Sequence, residues 1–196
     1  MKKVFVYRHL YLPQAFSLFK EIRVYRCVQL KKVFSSGWLF RYFQSLETIE
    51  VQWCPPMEEL ISSSTHEEEK VTPPNFQRLK LFKLLALTSI CNHSSVLICD
   101  SIQSLTILAC VKLKRIPLNF SQSSYPSSLK EIVVSPKEFW ESMEWDHPNA
   151  KDVLLPFCKF LSKSDANKAF EDEDFDLFCE ESEESDDIDE IEEEEL

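Results

Sequence analysis

Apolar residues recur along this chain at a spacing that fits neither a continuous helix nor a lone strand. One unit places them at Phe16, Phe19, Ile22, Val24, Cys27, Leu30 and Val33. A step of 27 residues brings Phe43, Leu46, Ile49, Val51, Cys54, Met57 and Leu60. A step of 33 brings Phe76, Leu79, Phe82, Leu84, Leu87 and Ile90, and a step of 23 brings Cys99, Ile102, Leu105, Ile107, Cys110, Leu113 and Ile116. Leu129, Ile132 and Val134 open a last unit that then departs. The central step of two, Ile22 to Val24, predicts a short strand, because alternate side chains of a strand share one face. The steps of three on either side predict turns and short 3₁₀ or helical segments that carry the chain around one coil. Successive coils then pair their strands in a parallel sheet.

The cysteine after the strand (Cys27, Cys54, Cys110) takes the inward slot where leucine-rich repeats place Asn or Cys, and packs there as a small hydrophobe. The predicted fold is an α/β leucine-rich-repeat solenoid, with short parallel strands on its concave face and loops and short helices outside. Residues 1–134 form the repeats. Ser62 to Pro74, polar and carrying Glu67, Glu68 and Glu69, is a solvated insertion that lengthens one step. Lys2, Lys3, Val4 and Phe5 match Lys31, Lys32, Val33 and Phe34, so Met1 takes the place of Leu30 and the first coil is incomplete. That half coil leaves an apolar edge open to association. Residues 135–160 are expected to cap the other end. Ser135-Pro136-Lys137-Glu138 combines a capping box with proline at the first helical position. The helix would carry Phe139, Trp140 and Met143 on one face and stop before Pro148.

Charge divides the chain in two. Residues 171–196 hold 17 Asp and Glu and no Lys or Arg, so the net charge of -11 sums a +6 body and a −17 tail. The acidic tail, 161–196, is expected to be disordered, having too little apolar area to offset chain entropy. Glycine excludes more: only Gly37 is present. Phosphate loops and dinucleotide fingerprints need several glycines at fixed spacing, so no nucleotide cofactor is expected. Seven cysteines without a CxxC pair fit reduced thiols in a cytoplasmic protein. No stretch is apolar for long enough to be a secretory core or a membrane span. His9, His66, His93 and His147 are dispersed, and Cys91 with His93 lacks two further ligands, so no metal is expected. One glycine also excludes a nucleophile elbow, and no catalytic residues are assigned. Lysines and arginines are scattered apart from Lys112, Lys114 and Arg115, so nucleic acid is not an expected partner.

Three stretches carry a family resemblance. They are "CPPMEELI" (Cys54 to Ile61), "CVKLKRIPL" (Cys110 to Leu118) and "YPSSLKEIVVSPKEFWESMEWDHPNAKDVLLPF" (Tyr125 to Phe157). Together with the coil pattern they resemble the C-terminal leucine-rich-repeat region of plant nucleotide-binding leucine-rich-repeat (NLR) disease-resistance proteins of the coiled-coil type. The resemblance implies a sensing and autoinhibitory role in defence. Its partners would be a pathogen effector, a guarded host protein or a nucleotide-binding switch domain, met as a monomer. A free-standing decoy or a ligase-adaptor repeat are the alternatives. The nucleotide-binding domain itself is not in this sequence.

Partner contacts in such a solenoid come from outward strand residues. One column reads Arg23, Glu50, Lys83, Thr106 and Val133; the next reads Tyr25, Gln52, Leu85, Leu108 and Ser135; Arg26, Trp53, Ala86 and Ala109 follow just after the strands. The first column is an alternating charge ladder. It would either stabilise the sheet, at about 0.2–1 kcal/mol per pair, or contact a partner. Tyr25 and Trp53 are of the residue type enriched in binding hot spots, but either could equally pack under the rim.

Overall fold

The structure, a computed structural model, describes residues 16–35, 42–62, 75–91, 101–116, 128–145 and 149–168. Two parallel sheets face each other across one core. The larger runs β1 (Glu21–Tyr25), β3 (Thr48–Gln52), β5 (Arg78–Phe82), β7 (Ser104–Leu108), β8 (Glu131–Ser135) and β9 (Cys158–Phe160), in that order. The smaller stacks β2 (Lys32–Phe34), β4 (Glu59–Ile61) and β6 (Ser89–Cys91). All pairings are parallel; from β1 to β7 the chain alternates between the two sheets, and β8 and β9 then join the larger sheet with no described strand of the smaller one between them. This is the expected solenoid.

The core lies between the sheets. Ile49, Val51, Leu79, Leu81, Leu105, Ile107, Ile132 and Val134 supply the inward pair of four successive strands, each at most 1% exposed. A turn follows every Cys-slot residue: Met57, Leu87 and Leu113 donate their backbone N–H to the carbonyls of Cys54, Leu84 and Cys110. The slot also does more than pack. The Cys27 N–H points at Cys54 Sγ at 3.4 Å, and the Cys54 thiol donates to the Gln52 carbonyl at 3.3 Å. Burial pushes these thiols up, Cys54 to about 11, Cys110 and Cys158 to about 12, while backbone N–H groups at Cys54 and Cys110 oppose the shift. The raised values mean that the folded state holds the thiol proton more tightly than the unfolded chain does. The contribution to stability is therefore complete below pH 9, the ordinary thiol value, and is lost as pH rises toward 11–12. At pH 8, iodoacetamide is expected to label Cys54 and Cys110 at least tenfold more slowly in the native protein than in 6–8 M urea. Equal rates, read by peptide mass spectrometry, would place these cysteines outside the core.

Three expectations need correction. The first is the register of the third coil. Ile49 pairs with Leu79 and Val51 with Leu81, so the inward pair of β5 is Leu79 and Leu81, not Phe82 and Leu84. From Ile22 through Ile49, Leu79, Leu105, Ile132 and Cys158 the steps are 27, 30, 26, 27 and 26 residues. Lys83 therefore leaves the Arg23 column and Lys80 enters it, Phe82 replaces Leu85 in the Tyr25 column, and Lys83 takes the place of Ala86 after the strand.

The second is the cap. Ser135 is the buried last residue of β8 rather than a helix cap, and Pro136 takes the N-cap position without any side-chain hydrogen bond. Helix α1 is only Lys137–Glu141. Phe139, Trp140 and Met143 do become buried, but they line another coil instead of closing the last one. Helix α2 (Ala150–Leu154) and a 3₁₀ turn (Leu155–Phe157) return the chain to β9, which extends the sheet beyond β8.

The third is the boundary at 161. Helix α3 (Lys163–Lys168) lies within the stretch expected as tail, and its Ala166 is buried. One apolar contact on an otherwise polar helix leaves little trace in composition. The half coil at Met1, the insertion from residue 63 to Pro74, the Cys91–His93 pair through His93, all four histidines and the tail from residue 169 lie outside the described residues.

Candidate functional site on the concave face

Outward residues of the larger sheet form its concave face. The observed columns are Glu21, Thr48, Arg78, Ser104 and Glu131, then Arg23, Glu50, Lys80, Thr106 and Val133, then Tyr25, Gln52, Phe82, Leu108 and Ser135. The third column changes character along its length. Tyr25 is exposed at 41%, whereas Phe82 and Leu108 are covered. Their cover is α3, whose Ala166 packs on Phe82 and Leu108 with Val133 and Leu161 beside it, in a cluster separate from the core. In this column α3 thus covers β5 and β7 and Tyr25 of β1 is the exposed end, while the outward side chains of β3, Thr48, Glu50 and Gln52, are themselves buried.

Glu50 organises the face over β1, β3 and β5. Its side chain is only 1% exposed. The Tyr25 hydroxyl and the Gln52 amide both donate to Oε1 at 2.5 Å, and the same Gln52 amide lies 3.3 Å from the Tyr25 oxygen. Among the described residues Oε2 accepts no hydrogen bond, but Lys80 Nζ stands 3.7 Å away and Arg23 Nε 3.9 Å away. Arg23 also meets Glu21 at 2.9 Å, which raises its own affinity for the proton. A carboxylate taken out of water needs such partners, since an uncompensated buried charge costs several kcal/mol. Glu50 thereby pins Arg23, Tyr25, Gln52 and Lys80 into one network spanning three strands. Thr106 continues the column half-buried on β7, outside it.

The rim is built differently. Arg26, Trp53, Lys83 and Ala109 each follow a strand, and each has a positive φ, between 49° and 56°. Left-handed backbone costs a non-glycine residue roughly 1–2 kcal/mol. Here each such residue donates its N–H to the last residue of the next strand: Arg26 to Gln52, Trp53 to Phe82, Lys83 to Leu108 and Ala109 to Ser135, at 2.8–3.0 Å. The kinked residue thus stays in the ladder and offsets its strain. Its side chain stands at the sheet's edge. Trp53, 40% exposed, meets Phe82 edge-on at 5.7 Å, and the Lys83 ammonium lies over the indole at 3.8 Å.

Of the residues named from sequence, Arg23, Tyr25, Glu50 and Gln52 converge as neighbours. Arg26, Trp53 and Lys83 share a rim row, Lys83 having moved there from the ladder. Lys80 was missed. Equalising the coil lengths would have found it, because a step of 30 places Leu84 in the Cys slot and Lys80 beside Glu50. Among the described residues no three His, Cys, Asp or Glu side chains gather as a metal site, and no helix is long and apolar enough to cross a membrane.

No solved structure matches this chain. Residues 1–136 match the family of leucine-rich repeats of RPS2-like plant disease resistance proteins. The chain is also 30% identical over 138 residues to the Disease resistance protein At4g27190 of Arabidopsis thaliana, an alignment covering 70% of this chain and 13% of that protein. The coil pattern, the parallel sheet and this match agree, and the chain belongs to the leucine-rich-repeat family of RPS2-like plant disease resistance proteins.

Proposed function

We propose that this chain is a protein-recognition module in plant defence, equivalent to the C-terminal repeat region of a coiled-coil-type NLR receptor, and that it acts through its concave face. The observation that carries the reading is the exposed end of that face, at β1 and along the rim. Exposed Arg23 and Tyr25 stand on β1 with Lys80 beside them, held from beneath by Glu50, and exposed Arg26 and Trp53 with Lys83 stand along the rim. Aromatic and arginine side chains on a rigid base are the residue types that dominate protein interfaces. The module carries no catalysis and no cofactor in this proposal. It works as a monomer in the cytoplasm, where it senses a pathogen effector or a guarded host protein, or restrains a nucleotide-binding switch domain.

Arg23 and Tyr25 also support Glu50, so the discriminating variant leaves them in place. Arg26→Ala, Trp53→Ala and Lys83→Ala together remove the rim side chains while sparing the Glu50 network. Co-precipitation with the separately expressed switch domain of a full-length family member should fall at least tenfold, with unchanged far-UV circular dichroism. Replacing Lys112 and Lys114 on another surface should leave it unchanged. Binding that survives the rim variant would overturn the assignment of this face.

A further inference from the structure

We propose that the turn edge of the solenoid, beside the concave face, is a docking surface for an acidic amphipathic helix of another protein. The inference starts from the register. A step of seven residues leads from the end of each of the first three large-sheet strands to the start of the small-sheet strand that follows: Tyr25 to Lys32, Gln52 to Glu59 and Phe82 to Ser89. Each of these residues pairs with its counterpart in the next coil, so the turns between them stack in step. The coil of β7 joins the row: Leu108 pairs with Phe82, and Leu113 makes the same turn bond to Cys110 that Met57 and Leu87 make in their coils. Because all strands run parallel, the four turns lie on one edge.

The third residue after each strand is Val28, Pro55, Leu85 or Val111. All four are exposed, Val28 at 69%, Leu85 at 52% and Val111 at 60%. The residue before each, in the Cys slot, packs with the core. Solvated turns usually carry Gly, Asn, Asp or Ser, whereas here apolar side chains stand outward in four coils running and form one stripe. Exposed apolar groups in a continuous row mark an interaction surface. The stripe ends beyond β8, where α1 replaces the turn and exposed Glu138 holds the third position.

Spacing selects the shape of the partner. The larger sheet sets the steps of the stripe, so its members stand about 4.8, 9.6 and 14.4 Å from the first. Residues at positions 1, 4, 8 and 11 of an α-helix share one face and lie about 4.5, 10.5 and 15 Å along its axis. One helical anchor therefore meets each coil, the usual pattern of a helix docked by its apolar face. An extended strand repeats a face every 6.7 Å or about that, and is out of step by the third coil.

Charge selects its chemistry. The turn segments 26–29, 53–56, 83–86 and 109–112 contain Arg26, Lys83 and Lys112 and no Asp or Glu. Arg26 and Lys83 border the stripe on the concave side, and exposed Lys112 borders it on the other. Carboxylates flanking the helix's apolar row would meet these cations, whereas a second copy presenting the same edge would bring like charges together. Leu85 and Val111 lie outside the residues assigned to the concave face, so the two readings are tested by different variants and fail separately.

Fluorescence anisotropy with the full-length chain, at about 50 mM salt, tests the proposal. The probe is a labelled synthetic helix of about 16 residues, built of Glu and Ala with four leucines at the spacing above. Saturable binding is expected. Leu85→Ser with Val111→Ser should weaken it at least tenfold while far-UV circular dichroism and the urea midpoint stay unchanged, since both side chains are already exposed. A probe with Gln in place of Glu should bind at least fivefold more weakly, and one broken by two central prolines should not bind. Absence of saturable binding to the intact chain, whether the edge is inert or already covered by another part of it, would overturn the proposal. So would equal affinity of the double variant, of the Gln probe or of the proline probe. Size-exclusion chromatography closes the last alternative: a dimer of the wild type that the double variant abolishes would make a second copy the occupant and overturn the assignment to another protein.

Discussion

Trp140→Ala is expected to destabilise the protein by about 3–5 kcal/mol, the range for emptying a buried tryptophan site. Trp140 is fully buried. Its indole meets Trp145 at 4.7 Å and Phe160 of β9 at 6.2 Å, both edge-on, and so ties α1 to the last strand of the sheet. Those contacts belong to the coil that extends the solenoid beyond β8, and no smaller side chain can hold both rings. For a chain of this size the loss corresponds to a drop of roughly 6–20 °C in Tm. Trp53→Ala is the matched control. It removes the same side chain from the rim, at 40% exposure, and should cost about 1 kcal/mol or less. Urea unfolding followed by circular dichroism compares the two; equal midpoints would show that Trp140 does not join the last coil to the core.

The second large effect concerns β5. Leu81→Ala should cost about 2–5 kcal/mol, since Leu81 is fully buried between Val51 and Ile107 in neighbouring strands. If Phe82 and Leu84 formed the inward pair of this strand, Leu81 would face outward and its truncation would cost far less. Lys80→Ala separates the alternatives from the other side. It removes one of two cations around Glu50 while retaining the fold, and should cost about 1 kcal/mol, reduced by solvent screening at a partly exposed lysine. Denaturation midpoints that reverse this order would restore the shifted register.

The same strand explains what can and cannot be read from this sequence. The coil, the parallel sheet and the inward cysteine were legible because a step of two between steps of three has no other economical meaning. The third coil slipped because Leu79-Lys80-Leu81 and Phe82-Lys83-Leu84 both satisfy that step, and sliding by three preserves every other apolar position. Phe82 is apolar for a reason outside its own repeat: α3 covers it. A helix whose buried contact is a single alanine sends no signal in hydrophobic spacing, so the covering was invisible, and with it the reason for Phe82. Arg23 pairs with Glu50 and Tyr25 with Gln52 in the register expected from the spacing, because β1 and β3 are separated by a step that admits no competing alignment. The burial of Glu50 was not foreseeable, since a carboxylate on an outward strand position is ordinarily solvated, and only Tyr25, Gln52, Arg23 and Lys80 arriving together make it tolerable.

The left-handed residues after the strands have a consequence for how such a surface can change. Arginine, tryptophan, lysine and alanine occupy the same backbone slot, with φ values within a few degrees and the same hydrogen bond onward to the next strand. The slot prescribes the bend of the main chain and is indifferent to the side chain it carries. The rim row is therefore a set of interchangeable letters on a fixed line, where the chemistry offered to a partner can be rewritten one coil at a time without disturbing the coils beneath.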